Sequence, residues 1–262
     1  MKTVLVDMDG TLTEPRKKID MNMCAALAKL QRANIKIGIV TGSDMEYIRE
    51  QCDLFWDMSP VNPEKITYYP CNGTKLCRYS YTGSGHQVVY QKNMKDKLGI
   101  QNFNAIIYML FNIQHGLQYT QWGKELPLAG KFVDCRGSMI NYCPIGRSAN
   151  SKERDEWIKL DKEYDIRKIM LKGILSSPIF DNVVIKLGGD TSFDIFPHGW
   201  DKSYIMRNFT NEDEIYFVGD KCEENGNDKE LYDVILSQSK DRAFKTTGPL
   251  ETINIIEELI LA

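Results

Sequence analysis

Two aspartates, Asp7 and Asp9, stand one residue apart where the apolar run Thr3-Val4-Leu5-Val6 ends, and Gly10-Thr11-Leu12-Thr13 follows. The run is rich in β-branched residues and does not alternate, which suits a strand buried on both faces of a parallel sheet. The carboxyl end of such a strand lies at the ligand crevice of an open α/β sheet. Two acids there repel each other and resist desolvation unless a proton or a cation offsets them. A hard divalent ion with oxygen ligands is the simplest offset, and Mg²⁺ usually shares its shell with substrate phosphate. Gly10 lets the chain turn so that both acids converge past the strand end. Read alone, the same pair equally ends a strand and opens a turn.

Two further places repeat the pattern of a strand delivering polar groups. Ile35-Lys36-Ile37-Gly38-Ile39-Val40 ends in Thr41-Gly42-Ser43-Asp44 before a helical stretch. A hydroxyl and exposed backbone N–H groups at such a turn suit an anion. Ser43 or Asp44 also serves there as a helix N-cap, and a cap and a phosphate can share those amides. Taken alone the cap is the better reading; beside the Asp-x-Asp-Gly-Thr stretch, Ser43 is expected on a phosphate. Glu214-Ile215-Tyr216-Phe217-Val218-Gly219 ends in Asp220. Asp220 closes an apolar strand, whereas Glu223 and Glu224 read as solvated surface.

The elements that must position these residues begin with a helix over 21–33, where Met23, Leu27 and Leu30 recur at helical spacing. It joins the first two strands into a βαβ unit, and a second helix is expected from Met45 to Cys52. From Phe55 to Tyr90 the chain breaks into short segments, with a strand near Tyr68 and a hairpin through Leu76 to Tyr81. The composition shifts beyond Gln91. Phe103 to Asn112 carries a dense apolar face. Residues 132–136 and 139–143 read as strands paired about Gly137-Ser138. A charged helix opens at Ser151, and residues 183–189 and 192–197 form a second antiparallel pair. A last short strand over 242–246 and a closing helix after Pro249 complete the chain. The fold class is therefore α/β, a parallel sheet plus an inserted α+β unit.

Composition sets bounds. Of 262 residues, 42% are hydrophobic and 26% charged, as in an ordinary soluble protein. A net charge of −3 gives no reason to expect nucleic acid or an acidic membrane as a partner. No run of about 18 apolar residues is present, so no membrane span is expected. The seven cysteines are scattered without CxxC pairs. That favours a reducing, cytoplasmic setting and no zinc site.

Asp7-Met8-Asp9-Gly10-Thr11-Leu12-Thr13 resembles the signature of the haloacid dehalogenase superfamily of phosphotransferases. The resemblance implies that Asp7 attacks phosphorus and becomes an aspartyl-phosphate, while Asp9 is the general acid/base. The division is chemically sound, because a carboxylate is a competent nucleophile and proton transfer needs a separate group. Asp220 matches the acid that completes the superfamily's Mg²⁺ site, giving Asp7, Asp9 and Asp220 as expected metal ligands.

A narrower resemblance covers nearly the whole chain. Pro144-Ile145-Gly146-Arg147-Ser148, Ser192-Phe193-Asp194-Ile195-Phe196-Pro197 and Gly199-Trp200-Asp201-Lys202 strongly resemble eukaryotic-type phosphomannomutase. Arg16, Arg136, Arg147, Arg154, Ser192, Asp194, Lys202 and Asp220 run in that family's order. The resemblance implies a discontinuous, Rossmann-like catalytic core with a parallel sheet, 1–85 and 198–262, holding Asp7, Asp9, Ser43, Lys202 and Asp220. It implies an α+β cap, 86–197, for substrate specificity and for dimerisation into a homodimer.

The implied reaction is Mg²⁺-dependent interconversion of mannose 6-phosphate and mannose 1-phosphate, activated by a hexose 1,6-bisphosphate and supplying GDP-mannose synthesis. Arg136, Arg147 and Arg154 would grip the distal phosphate, with Arg16 from the core, since an arginine fork makes two parallel bonds to phosphate. Arg154 equally fits a helix-face charge pair. Ser192 and Asp194 would bond sugar hydroxyls. A sugar-phosphate phosphatase of the same fold shares every core residue, and a catalytically silent phosphosugar-binding protein is the reading outside enzymes. The chain differs from the family's pattern at Pro70-Cys71-Asn72-Gly73, Arg136-Gly137-Ser138-Met139, Thr41-Gly42-Ser43-Asp44 and Cys222-Glu223-Glu224-Asn225-Gly226.

Overall fold

A computed structural model describes residues 2–57, 59–83 and 85–261. In chain order its strands are β1 (Lys2–Asp7), β2 (Lys36–Val40), β3 (Ile66–Tyr69), β4 (Lys75–Ser80), β5 (Gly85–Gln91), β6 (Val133–Cys135), β7 (Ile140–Tyr142), β8 (Val183–Gly188), β9 (Ser192–Pro197), β10 (Glu214–Gly219) and β11 (Ala243–Lys245). Its helices are α1 (Met21–Arg32), α2 (Met45–Gln51), α3 (Met94–Leu98), α4 (Ile100–Gly116), α5 (Ser151–Tyr164), α6 (Ile166–Leu175), α7 (Lys229–Gln238) and α8 (Pro249–Leu261). The chain forms two compact units, Met1–Gln91 with Gly199–Ala262, and Lys92–His198.

The first unit is built on a seven-stranded sheet in the order β11-β10-β1-β2-β3-β4-β5. The strands from β11 to β3 are parallel, and β4 and β5 are antiparallel additions. The non-alternating β1 run is explained by cover on both faces. Val4 and Val6 pack into a core with Met23, Leu27 and Leu30 of α1 and Ile256 and Leu259 of α8. Leu5 points the other way, into a core with Phe217, Leu231 and Ile235. At roughly 25 cal/mol per Å² of apolar surface removed from water, each such side chain contributes about 1.5–3 kcal/mol. β1 lies between β2 and β10, and the chain leaves it toward β2 but returns to the other side through β10. That reversal opens a crevice at the carboxyl ends of β1 and β10, where Asp7 and Asp220 sit.

The second unit has a four-stranded antiparallel sheet, β6-β7-β9-β8. Both expected strand pairs are present, joined through β7 and β9. Every residue of β9 is buried, and Tyr142 and Phe193 stack with ring centroids 5.8 Å apart. In α4, Phe103, Ile106 and Leu110 form the buried face.

The expected division at 85/86 falls inside β5, and the compact units part after Gln91. β5 pairs with β4 through a bulge at Leu76/Cys77. Its mostly exposed side chains gave no alternating pattern by which to find it. The helices α3, α6 and α7 also lie outside the elements expected from sequence.

Candidate active site

Asp7 is the last residue of β1 and is buried, 4% exposed. Lys202 opens a 3₁₀ turn, Lys202–Asn208, whose N-cap Asp201 accepts from the Ser203 N–H. The turn delivers a fully buried ammonium that donates to Asp7 Oδ1 and, at 2.5 Å, to Asp228 Oδ1. A buried charge without such partners would cost several kcal/mol, so Lys202 and its two carboxylates stand or fall together.

Asp220 follows β10. Among the described residues, Asp7, Asp220 and Asp228 form a group whose ligand oxygens all lie within 4.8 Å of one another. Two glycines make room for it. A Cβ on Gly10 would stand 2.3 Å from Asp220 Oδ2, at a left-handed φ of +84°, and one on Gly219 would stand 2.8 Å from Asp228 Oδ2. Asp228 is also anchored by the Lys221 N–H, which donates to its Oδ2 at 3.0 Å.

The electrostatics follow from three acids facing one ammonium. Burial foremost, then Asp228 and Asp220, raises Asp7 well above the usual carboxylate range against the pull of Lys202. Burial, then Asp228, pushes Asp220 up to about 6. Burial disfavours the Lys202 charge, but Asp228 and Asp7 together hold its pKa above the ordinary lysine value. With all three acids ionised the cluster keeps two uncompensated negative charges, and Asp220 Oδ1 is buried with no hydrogen-bond partner. A divalent cation with oxygen ligands supplies both the missing charge and the missing partner, so these residues fit Mg²⁺.

Asp9, expected as a metal ligand with Asp7 and Asp220, lies outside that group of side-chain oxygens. Its Oδ1 instead accepts from the Tyr47 hydroxyl at 2.7 Å and from the Arg16 N–H at 3.0 Å. Ser43 follows β2, its N–H donating to Thr41 Oγ1 at 3.1 Å. Asp44 is the N-cap of α2, accepting from the Tyr47 N–H. Of the two residues expected as the cap, Asp44 takes the role. Asp228 and Tyr47 were not found from sequence. Asp228 followed an acidic stretch, but it sits immediately before the apolar spacing of Leu231 and Ile235, where a helix N-terminus turns inward.

The second unit assembles its own polar group. Asp134 accepts from Arg136 Nε at 3.2 Å, with Arg147 Nε at 3.7 Å and Lys131 at 3.0 Å. Burial alone would raise the Asp134 carboxyl, but Lys131 and Arg136 hold it below its ordinary value. Buried Asn141 ties the arginines to β9. Its Oδ1 accepts from Arg147, and its Nδ2 donates to Ser192 Oγ at 2.9 Å and Asp194 Oδ1 at 2.7 Å. Arg154 is buried rather than spread on a charged helix face, and donates to Ala149 O, Thr191 Oγ1 and Arg147 O. Arg147, Ser192 and Asp194 are thus brought into one network around Asn141, with Arg136 joined to it through Asp134. Arg16 lies in the first unit, exposed, at φ 60°.

Comparison with known proteins gives concordant results. A family model described as eukaryotic phosphomannomutase matches residues 23–262. A phosphomannomutase of Dendrobium officinale is 34% identical over 234 residues, covering 88% of this chain and 84% of that protein. One of Nicotiana benthamiana is 31% identical over 261 residues, covering 98% and 93%. Among solved structures, a Streptococcus mutans protein superposes with a TM-score of 0.59 at 16% identity, covering 100% of this chain and 99% of that one. An IMP-nucleotidase of Plasmodium falciparum gives 0.55 at 13% identity, covering 100% and 68%. At that identity the structures establish the fold alone.

Proposed function

This chain belongs to the eukaryotic phosphomannomutase family, and from that membership we propose that it interconverts mannose 6-phosphate and mannose 1-phosphate. The observation that carries the chemistry is the buried group of Asp7, Lys202, Asp220 and Asp228 at the end of β1 and β10. Asp7 is the nucleophile. Its carboxylate forms a bond to the phosphorus of a hexose 1,6-bisphosphate as the bond to the sugar oxygen breaks, and Asp9 gives the departing hydroxyl its proton. A sugar monophosphate then presents its free hydroxyl, Asp9 takes that proton, and the phosphoryl group leaves Asp7 for the sugar.

Lys202 orients Asp7, and with Ser43 it offers donors to the phosphoryl oxygens. Bound at Asp7, Asp220 and Asp228, Mg²⁺ supplies positive charge to offset the phosphate. Arg136, Arg147 and Arg154 of the second unit are assigned to a sugar phosphate, and Ser192 and Asp194 to sugar hydroxyls. Asn141 holds Arg147, Ser192 and Asp194 in their rotamers. Water must be kept from the aspartyl-phosphate, or transfer to the sugar gives way to hydrolysis. The product would feed GDP-mannose synthesis in the cytoplasm, and the working form would be a homodimer joined through the second unit.

A phosphorus NMR time course of mannose 1-phosphate with Mg²⁺ and catalytic bisphosphate tests the proposal. Growth of the 6-phosphate resonance supports it. Growth of inorganic phosphate alone would replace it with a sugar-phosphate phosphatase, and an unchanged spectrum would remove the enzymatic reading for this sugar.

A further inference from the structure

Asp9 is held through one oxygen by two donors, and one of them is a side chain. The Tyr47 hydroxyl donates to Asp9 Oδ1 at 2.7 Å, and the Arg16 N–H donates to the same atom at 3.0 Å. The terminal torsion of an aspartate is broad and roughly two-fold, so an untethered carboxylate samples many orientations. Two donors on a single oxygen select one, and a hydroxyl donating to a carboxylate is among the stronger hydrogen bonds.

The donor is itself fixed from two sides. Tyr47 lies in the first turn of α2, where its N–H is held by the Asp44 cap at 3.0 Å. Its ring packs against the core cluster that contains Val4, Val6 and Ile48. The turn that sets Ser43 therefore also sets the hydroxyl that holds Asp9. A proton donor must stand within hydrogen-bond reach of the reacting oxygen, and a support locked by packing is what preserves that reach.

We propose that Tyr47 is a positioning residue for Asp9: its hydroxyl fixes the carboxylate so that proton transfer to and from the sugar oxygen proceeds in one geometry. This rests on the role of Asp9 as the general acid/base.

Tyr47→Phe removes only the hydroxyl, and the whole protein is compared with wild type for isomerisation of mannose 1-phosphate and for release of inorganic phosphate from it. Acting through Asp9, the change lowers kcat about tenfold or more while KM stays within about twofold, since general acid/base help is worth roughly 10²–10⁴ in rate. In an Asp9→Asn background the same change has no further effect, because residues that act as a unit are not additive. Equal fractional losses in both backgrounds, or a raised KM at constant kcat, would reduce Tyr47 to packing and overturn the proposal. A wild type that releases phosphate without isomerising the sugar defeats the mutase reading alone, and the role of Tyr47 is then read from the hydrolytic rate. A wild type with no phosphoryl transfer at all overturns both.

Discussion

Asp7, Asp220 and Asp228 show how three like charges can share one buried site. Their mutual repulsion is only partly met by Lys202, and the remainder appears as a proton affinity that burial and Asp228 raise to about 6 at Asp220. An unfolded aspartate titrates near 3.9. Between about pH 4 and 6 the folded, metal-free chain therefore holds more protons than the unfolded chain, and its stability falls as pH rises through that window. Mg²⁺ competes with the same proton, so its affinity rises as pH climbs through that window. Thermal melts with and without Mg²⁺ at pH 5 and 7.5 are expected to show the larger metal-induced rise in Tm at pH 7.5. The rise should vanish at both in Asp228→Asn. Equal rises at both pH values would mean that Asp220 is not a ligand.

Elements differ in how far their sequences disclosed them. β1, β2 and β10 are apolar runs ended by a polar residue or a turn, and burial on both faces of a parallel sheet leaves that signature in any such strand. The pairs β6/β7 and β8/β9 were legible for another reason, since short strands flank turn residues at Gly137-Ser138 and Gly189. β5 was not legible, because an edge strand with exposed side chains carries no burial pattern. In the site, Asp7 and Asp220 converge as their strand ends implied, and Lys202, expected only from the resemblance at Gly199-Trp200-Asp201-Lys202, pairs with Asp7. Asp228 stayed hidden because its acidic neighbours, Glu223 and Glu224, are exposed. Asp9 was expected as the acid/base group and beside the metal, and its contacts with the Tyr47 hydroxyl and the Arg16 N–H had no signal in the sequence. The capping box of α5, Asn150 with Glu153, was equally unseen. It fixes the helix that carries Arg154 to Thr191 and Arg147, so Asn150→Ala should lower unfolding free energy by about 1 kcal/mol in a urea titration. An unchanged midpoint would show that tertiary packing alone sets this helix.

At the scale of the whole molecule, each unit has its own sheet and its own polar group, three aspartates beside Lys202 in one, arginines around Asp134 in the other. Among the described residues no helix is long and apolar enough to cross a membrane. The family match spans residues 23–262, which reaches both units but leaves out Asp7, Asp9 and Arg16. A phosphatase of this fold would use the same nucleophile but give its phosphoryl group to water, so the path of that group distinguishes the two. The most direct measurement starts from bisphosphate labelled with phosphorus-32, an acid quench and peptide mapping, followed by a chase with unlabelled mannose 6-phosphate. The account predicts label on the peptide carrying Asp7, none on Asp7→Asn, and passage of that label into hexose bisphosphate during the chase. Label on any other residue, or its departure only as inorganic phosphate, would contradict it.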